Sequence, residues 1–226
     1  MDGLKKFEEK IGYFFQRMPL LKDALTHSSF ANERGWSYDR NNERLEFLGD
    51  AVLELVSSDF IFHEHRSDTE GKMTKLRASL VCEQSLAASA REIGLGEYIR
   101  LGRGEQATGG AERDSILSDA FEAVIGAIYL DGGLESAAAF IRRFVLSDIE
   151  DKKLFYDSKT ILQEMIQDGG KHTISYELVS ESGPDHAKEF AVRCNVDGKP
   201  MGTGRGKSKK AAEQKAAYET MLKIRN

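Results

Sequence analysis

Apolar side chains recur every three to four positions through most of the first 150 residues, as in LLKDALTHSSF, LEFLGDAVLELVSSDFIF and SDAFEAVIGAIYL. That spacing predicts amphipathic helices, and few stretches alternate as strands do. Pro19 and the glycine-rich run LGRGEQATGG (Leu101 to Gly110) interrupt the pattern, and the run is expected to be a mobile surface loop. Beyond the charged stretch EDKKLFYDS the period changes. Thr160 to Gln167 is helical, ISYELVSES and KEFAVRCNV alternate, and Gly183-Pro184-Asp185-His186 between them is a turn. Asp197-Gly198 is a hairpin signal before a third strand in KPMGTG, and from Ser208 onward the alanine-rich SKKAAEQKAAYETMLKI is helical. The expected fold is an all-α domain over 1–150, a linker over 151–157, and a small αβββα domain over 158–226.

Composition adds limits. The chain has 226 residues, 40% hydrophobic and 31% charged, which is globular rather than disordered. No stretch is read as approaching a membrane-spanning run, the N-terminus lacks a secretory apolar core, and a cytoplasmic location without membrane partners is expected. Cys82 and Cys194 are far apart and are read as reduced thiols. The net charge of −5 looks wrong for a nucleic-acid binder, but it divides into −7 over residues 1–155 and +2 over 156–226. Such a division suggests separate labour for the two parts.

The segment NERLEFLGD, Asn42 to Asp50, carries the most information. On a helix, Glu43, Glu46 and Asp50 share one narrow stripe, with Leu45, Leu48, Val52 and Leu55 expected to form the core face and Asn42 to cap the start. Stacked like charges repel, and a cation would neutralise them. Glu54 extends the stripe and is read as merely solvated. In DAFEAVIGAIYL, Asp119 to Leu130, the only charges are Asp119 and Glu122, on an otherwise apolar helix. Buried carboxylates are costly unless paired or metal-bound. Two such helices packed together would make an all-oxygen site suited to Mg²⁺, with Mn²⁺ as a substitute.

These residues resemble the ribonuclease III family: NERLEFLGD is similar to its signature and SILSDAFEAVIGAIYLDGG to its second catalytic segment. The resemblance implies a metal-dependent endoribonuclease that hydrolyses double-stranded RNA to 5′-phosphate and 3′-hydroxyl ends with short 3′ overhangs, working as a homodimer. It implies that Glu46, Asp50, Asp119 and Glu122 hold the metal, that Asp50 and Glu122 are tied most closely to catalysis, and that Glu43 and Glu70 lie near the scissile phosphate. Ribosomal RNA precursors, with some messenger and transfer RNA precursors, are the implied substrates. Gly109-Gly110-Ala111-Glu112 and Ser118 depart from the family's common residues.

Arg205, Lys207, Lys209 and Lys210 gather at the start of the last helix, where lysines oppose the helix dipole. A bound phosphate relieves that conflict, although a solvated basic loop has the same composition. DSKTILQEMIQ, the SGPDH turn and GRGKSKKAAEQKAA together resemble the double-stranded-RNA-binding domain. By that resemblance Gln163 and Gln167 face one minor groove, His186 reaches the next, and Lys207, Lys209 and Lys210 span the phosphates between them. Recognition by shape suits A-form RNA, whose wide minor groove displays 2′-hydroxyls.

Other signals carry less. Gly202 to Ser208 looks like a phosphate-binding loop, but that motif requires a glycine where Met201 stands, so no nucleotide cofactor is expected. His63-Glu64-His65 has no further metal ligand at useful spacing. Thr26-His27-Ser28-Ser29 lacks the glycines of a nucleophile elbow and is read as structural. Two alternatives to the endonuclease remain open at this point. A non-catalytic RNA-sequestering protein needs none of the four carboxylates, and a nucleotide phosphohydrolase leaves the C-terminal segment unexplained.

Overall fold

The structure is a computed structural model that describes residues 2–37, 39–147, 149, 158–167, 172–183, 188–206 and 208–225. The expected linker 151–157, His186 and Lys207 lie outside them, and Gln167 is described only as the last residue of its helix. The chain divides into two compact units, Met1–Ile149 and Glu150–Asn226.

The first unit is helical among its described residues. Its helices are α1 (Asp2–Ile11), α2 (Met18–Ala24), α3 (Ser28–Glu33), α4 (Glu43–Glu64), α5 (Glu70–Leu80), α6 (Glu83–Glu92), α7 (Arg103–Ala107) and α8 (Asp114–Phe144). The core gathers around α4 and α8, which pack together along their lengths, with α2 and α6 also against α8. On α4 the buried face is Leu45, Gly49, Val52, Leu53 and Val56. Leu55, expected in that face, is 57% exposed instead, because it falls roughly 100° around the helix from the face's centre. Nor does Asn42 cap α4 with its side chain. The cap comes from Asn41, whose Oδ1 accepts the Glu43 N–H at 3.1 Å.

Two other expectations change. The glycine-rich run is not an open loop: it forms α7 and a 3-10 turn at Gly110–Glu112, with Leu101, Gly102 and Gly110 buried. And α8, by length and composition alone, is long and apolar enough to cross a membrane, which the sequence reading missed. It serves as the core helix of this unit. Ala120, Phe121, Val124, Ile125 and Ile128 are fully buried, and Gly133 breaks the helical dihedrals at φ 77°.

Two glycines set the spacing of α4 and α8. A Cβ built on Gly49 would stand 1.8 Å from the Glu122 carbonyl oxygen, and one on Gly126 would stand 2.2 Å from that of Leu45. The backbones therefore touch directly at the crossing, and no side chain fits between them.

The second unit contains α9 (Ser158–Gln167), β1 (Ile174–Ser182), β2 (Glu189–Val196), β3 (Lys199–Gly206) and α10 (Lys209–Arg225). The strands form an antiparallel sheet in the order β1-β2-β3, with a bulge between Leu178 and Ser180 and another between Cys194 and Asn195. Leu162, Ile166, Val192, Cys194, Ala212, Ala216, Ala217 and Met221 make its core. Cys194 is a free buried thiol, and Cys82 is free and half-buried. Gly202 to Gly206 of the run that imitates a phosphate loop lie in strand β3. The glycines of β3 let the strand lie on α10: a Cβ at Gly202 or Gly204 would come within 2.3 Å of the carbonyl oxygen of Ala216 or Ala212.

Substituting Gly126→Ala is expected to cost about 1–3 kcal/mol or more, because the helices must part before the methyl fits. The thermal midpoint should fall by roughly 2–4 °C per kcal/mol. Gly71→Ala is the control, since a Cβ there meets nothing within 4 Å. Equal midpoints for the two variants in a thermal melt would refute the crossing as described.

Candidate active site

The crossing brings two acidic helix faces together. Glu43, Glu46 and Asp50 run along α4 beside the buried face, and Asp119 and Glu122 lie on α8 at the same level, since Gly49 touches the Glu122 backbone. Glu46, Asp119 and Glu122 are half-buried, whereas Glu43 and Asp50 are exposed. The neighbouring charges act on the two glutamates nearest the crossing. Burial, then the charges of Asp119, Glu43 and Asp50, push the Glu46 carboxyl up to about 7. Burial, then Asp50, Glu46, Asp119 and Glu54, push Glu122 up to about 8. Burial also raises Asp119, with the Ser118 hydroxyl and His27 acting in the opposite direction.

Among the described residues no cationic side chain offsets Glu46 or Glu122. The side chains do not close into a cage, for among the described residues no three His, Cys, Asp or Glu groups stand together as a metal site would hold them. The donor set nevertheless fits a hard divalent cation. It is all oxygen, crowded, partly desolvated and short of positive charge, which is the condition such a cation relieves. Glu70 begins α5, exposed, and its Oε1 accepts a hydrogen bond from Thr74 Oγ1 at 2.9 Å.

The Ribonuclease-III-like family model matches residues 18–149, and the double-stranded RNA binding motif model matches residues 158–224. Relatives named Ribonuclease 3 from Bacillus licheniformis and Bacillus cereus are each 46% identical to this chain. The alignments cover 99% of this chain and 90% and 92% of theirs. The chain belongs to the ribonuclease III family. Among solved structures, the nuclease domain of ribonuclease III from Campylobacter jejuni is 46% identical with a TM-score of 0.59, covering 63% of this chain and 95% of that one. A helical nuclease domain followed by a double-stranded-RNA-binding domain is thus the architecture of this ribonuclease III family member.

The neighbourhood of the carboxylates holds groups that the sequence reading passed over. His27, read as structural, does cap α3, its Nδ1 accepting the Ser29 N–H at 3.2 Å, but its charge also bears on Asp119. Glu54, read as solvated, pairs with Arg77 at 2.8 Å and bears on Glu122. Gly49 was visible inside the signature segment without its role being read. A glycine within one helical turn of the acidic positions on each of the two helices is the available signal. The decoy histidines are ordinary surface groups: His63 lies 3.6 Å from Asp59 and His65 3.3 Å from Asp68.

In the second unit, Gln163 is exposed on α9 and Lys209 and Lys210 are exposed in the first turn of α10. Ser208 caps that helix by accepting the Ala211 N–H at 3.1 Å. Lys209 Nζ lies 5.9 Å from the centre of the Phe190 ring.

A carboxyl whose pKa is raised on folding holds a proton that the unfolded chain releases. Its penalty is absent below the unfolded value of 4.5 and complete above about 8 for Glu122. The metal-free protein should therefore lose stability as pH rises through that window. Glu122→Gln should raise the metal-free thermal midpoint at pH 8 by several degrees and leave it nearly unchanged at pH 4.5. Calorimetry at both values checks this, and an equal effect at both would show that Glu122 is not held protonated by its surroundings.

Proposed function

We propose that this double-stranded-RNA endoribonuclease cuts at the α4–α8 crossing, with Glu46, Asp50, Asp119 and Glu122 holding Mg²⁺, or Mn²⁺ in its place. The observation that carries this reading is the crowding of carboxylates at the crossing, which repel the half-buried Glu46 and Glu122 while no cationic side chain among the described residues acts on either. A divalent cation bound there would acidify a water and offset charge at the scissile phosphate. In this reading Asp50 and Glu122 orient the attacking water, and Glu43 and Glu70 flank the phosphate. The products carry 5′-phosphate and 3′-hydroxyl ends. Gln163, Gln167 and His186 contact the minor grooves and Lys207, Lys209 and Lys210 the phosphates between them, a division suited to reading shape. The substrates in this reading are precursors of ribosomal RNA, with some messenger and transfer RNA precursors, in the cytoplasm.

A homodimer fits the surface of α4. Phe47, Leu55 and Phe62 are 80%, 57% and 65% exposed. They fall on one side of the helix, next to the acidic stripe. Exposed apolar stripes of this kind mark association surfaces. The Campylobacter jejuni nuclease domain is described as having structural flexibility in a region involved in dimer formation. In this reading two copies set two sites on opposite strands and leave short 3′ overhangs.

Asp50→Asn and Glu122→Gln should each slow cleavage of labelled duplex RNA in Mg²⁺ by on the order of 10³-fold. Duplex binding by the same variants, measured without metal, should stay within about threefold of the parent, as phosphate contacts dominate affinity. Variants that still cleave at the parental rate would end the assignment. Phe47→Asp should convert the protein to a monomer in analytical ultracentrifugation, since a charge replaces an apolar contact. A dimer that survives this change assembles through some other surface.

A further inference from the structure

On α5, Glu70, Thr74 and Arg77 are spaced four and three residues apart and so share one face. Arg77 reaches from that face to α4. Its Nε lies 2.8 Å from Glu54 Oε2, and its Nη1 donates to Ser58 Oγ at 2.7 Å. Ser58 Oγ in turn donates to the Glu54 carbonyl oxygen at 2.6 Å. The guanidinium therefore fixes both the side chain of Glu54 and the helical turn that carries it.

Glu54 lies one turn beyond Asp50 on the same acidic stripe, and its charge is felt at Glu122. Freed from Arg77, it is a fifth carboxylate beside a group of four. A flexible glutamate one turn away would compete as a cation ligand, because hard divalent cations take carboxylate oxygens readily. A planar guanidinium that engages a carboxylate and a hydroxyl at once holds such a group in one orientation, which a lysine does less well.

We infer that Arg77 is a positioning residue that holds Glu54 out of the cation's ligand set. The inference rests on the metal-site reading above. Arg77 acts through Glu54, so the two residues should be coupled, and removing Glu54 should make Arg77 dispensable.

The test compares Arg77→Ala, Arg77→Lys, Glu54→Gln and the double variant Arg77→Ala/Glu54→Gln in the full chain. Cleavage of duplex RNA gives kcat and KM, and calorimetric titration with Mn²⁺ alone gives metal affinity. Arg77→Ala should lower kcat about tenfold with KM within about twofold, the pattern of a lost transition-state arrangement rather than lost binding. The same variant should bind Mn²⁺ at least about threefold tighter, since an unpaired carboxylate is added to the site. Glu54→Gln should lie near the parent in both readouts. The double variant should return to within about threefold of the parental kcat and to the parental Mn²⁺ affinity, since coupled neighbours do not add. Arg77→Lys should retain at least about half the parental kcat, because its charge can still pair with Glu54.

A double variant as slow as Arg77→Ala, or Mn²⁺ affinity unchanged in Arg77→Ala, overturns the inference. Misfolding cannot imitate the expected pattern, because a second substitution would not restore a broken fold. If Asp50→Asn abolishes cleavage while Arg77→Ala cleaves at the parental rate, only this inference falls. If Asp50→Asn cleaves normally, the metal-site reading falls and this inference with it.

Discussion

The backbone of α4 touches the backbone of α8 at Gly49 and Gly126, and that contact sets the rest of the first unit. Helices with ordinary side chains between them keep their axes 8–10 Å apart, roughly the usual range. Here a methyl group on either glycine would overlap a carbonyl oxygen. The contact fixes the level of one helix against the other as well as their separation. Glu46 and Asp50 flank Gly49 by three positions and one, and Glu122 lies four before Gly126. Closing the glycines on each other therefore closes the carboxylates on each other too.

That arrangement costs stability in the metal-free chain. Burial alone disfavours a charged carboxyl, and the neighbouring charges add to it, which is why Glu122 rises to about 8 and Glu46 to about 7. A fold selected for stability alone would place apolar groups or a lysine at these positions. Strained polar groups gathered at one place, with cohesive packing around them, are the usual sign of a working site. The fully buried Leu53, Phe121, Val124 and Ile125 supply that packing on both sides of the crossing. The cation's role in this reading is to convert a local repulsion into a bound state.

Much of this was legible in the sequence because periodicity reports which residues share a helix face. The long helices α4 and α8, the three strands, the two helices of the second unit and the acidic positions on α4 and α8 follow from spacings of 3.6 and 2. Leu55 shows where that reasoning stops. A leucine beside a core face reads as core, and only the packing shows that it belongs with Phe47 and Phe62 on the exposed side. The glycine-rich run failed for a related reason. Glycine was read as freedom, while Gly102 and Gly110 are buried where the chain passes close to Ser29 and Glu105. In β3 the same residue type imitated a nucleotide motif while serving the approach of a strand to α10. Pairings between distant segments, such as Arg77 with Glu54, leave no periodic trace at all.

The charges of the two units divide the work of meeting RNA. Residues 1–155 carry a net −7, so the unit that holds the carboxylates repels the phosphate backbone it is proposed to cut. Duplex affinity is largely electrostatic and comes from lysine and arginine displacing counterions, which that unit cannot supply in net terms. Residues 156–226 carry a net +2, with Lys209 and Lys210 exposed at the start of a helix whose N–H groups also favour an anion. A tethered basic unit raises the local concentration of duplex near an acidic one, and a dimer doubles that effect. The acidic unit can then stay charged enough to hold the proposed cation without having to capture RNA alone. A single domain doing both would need lysines near the carboxylates, where they would compete with the metal for the same oxygens.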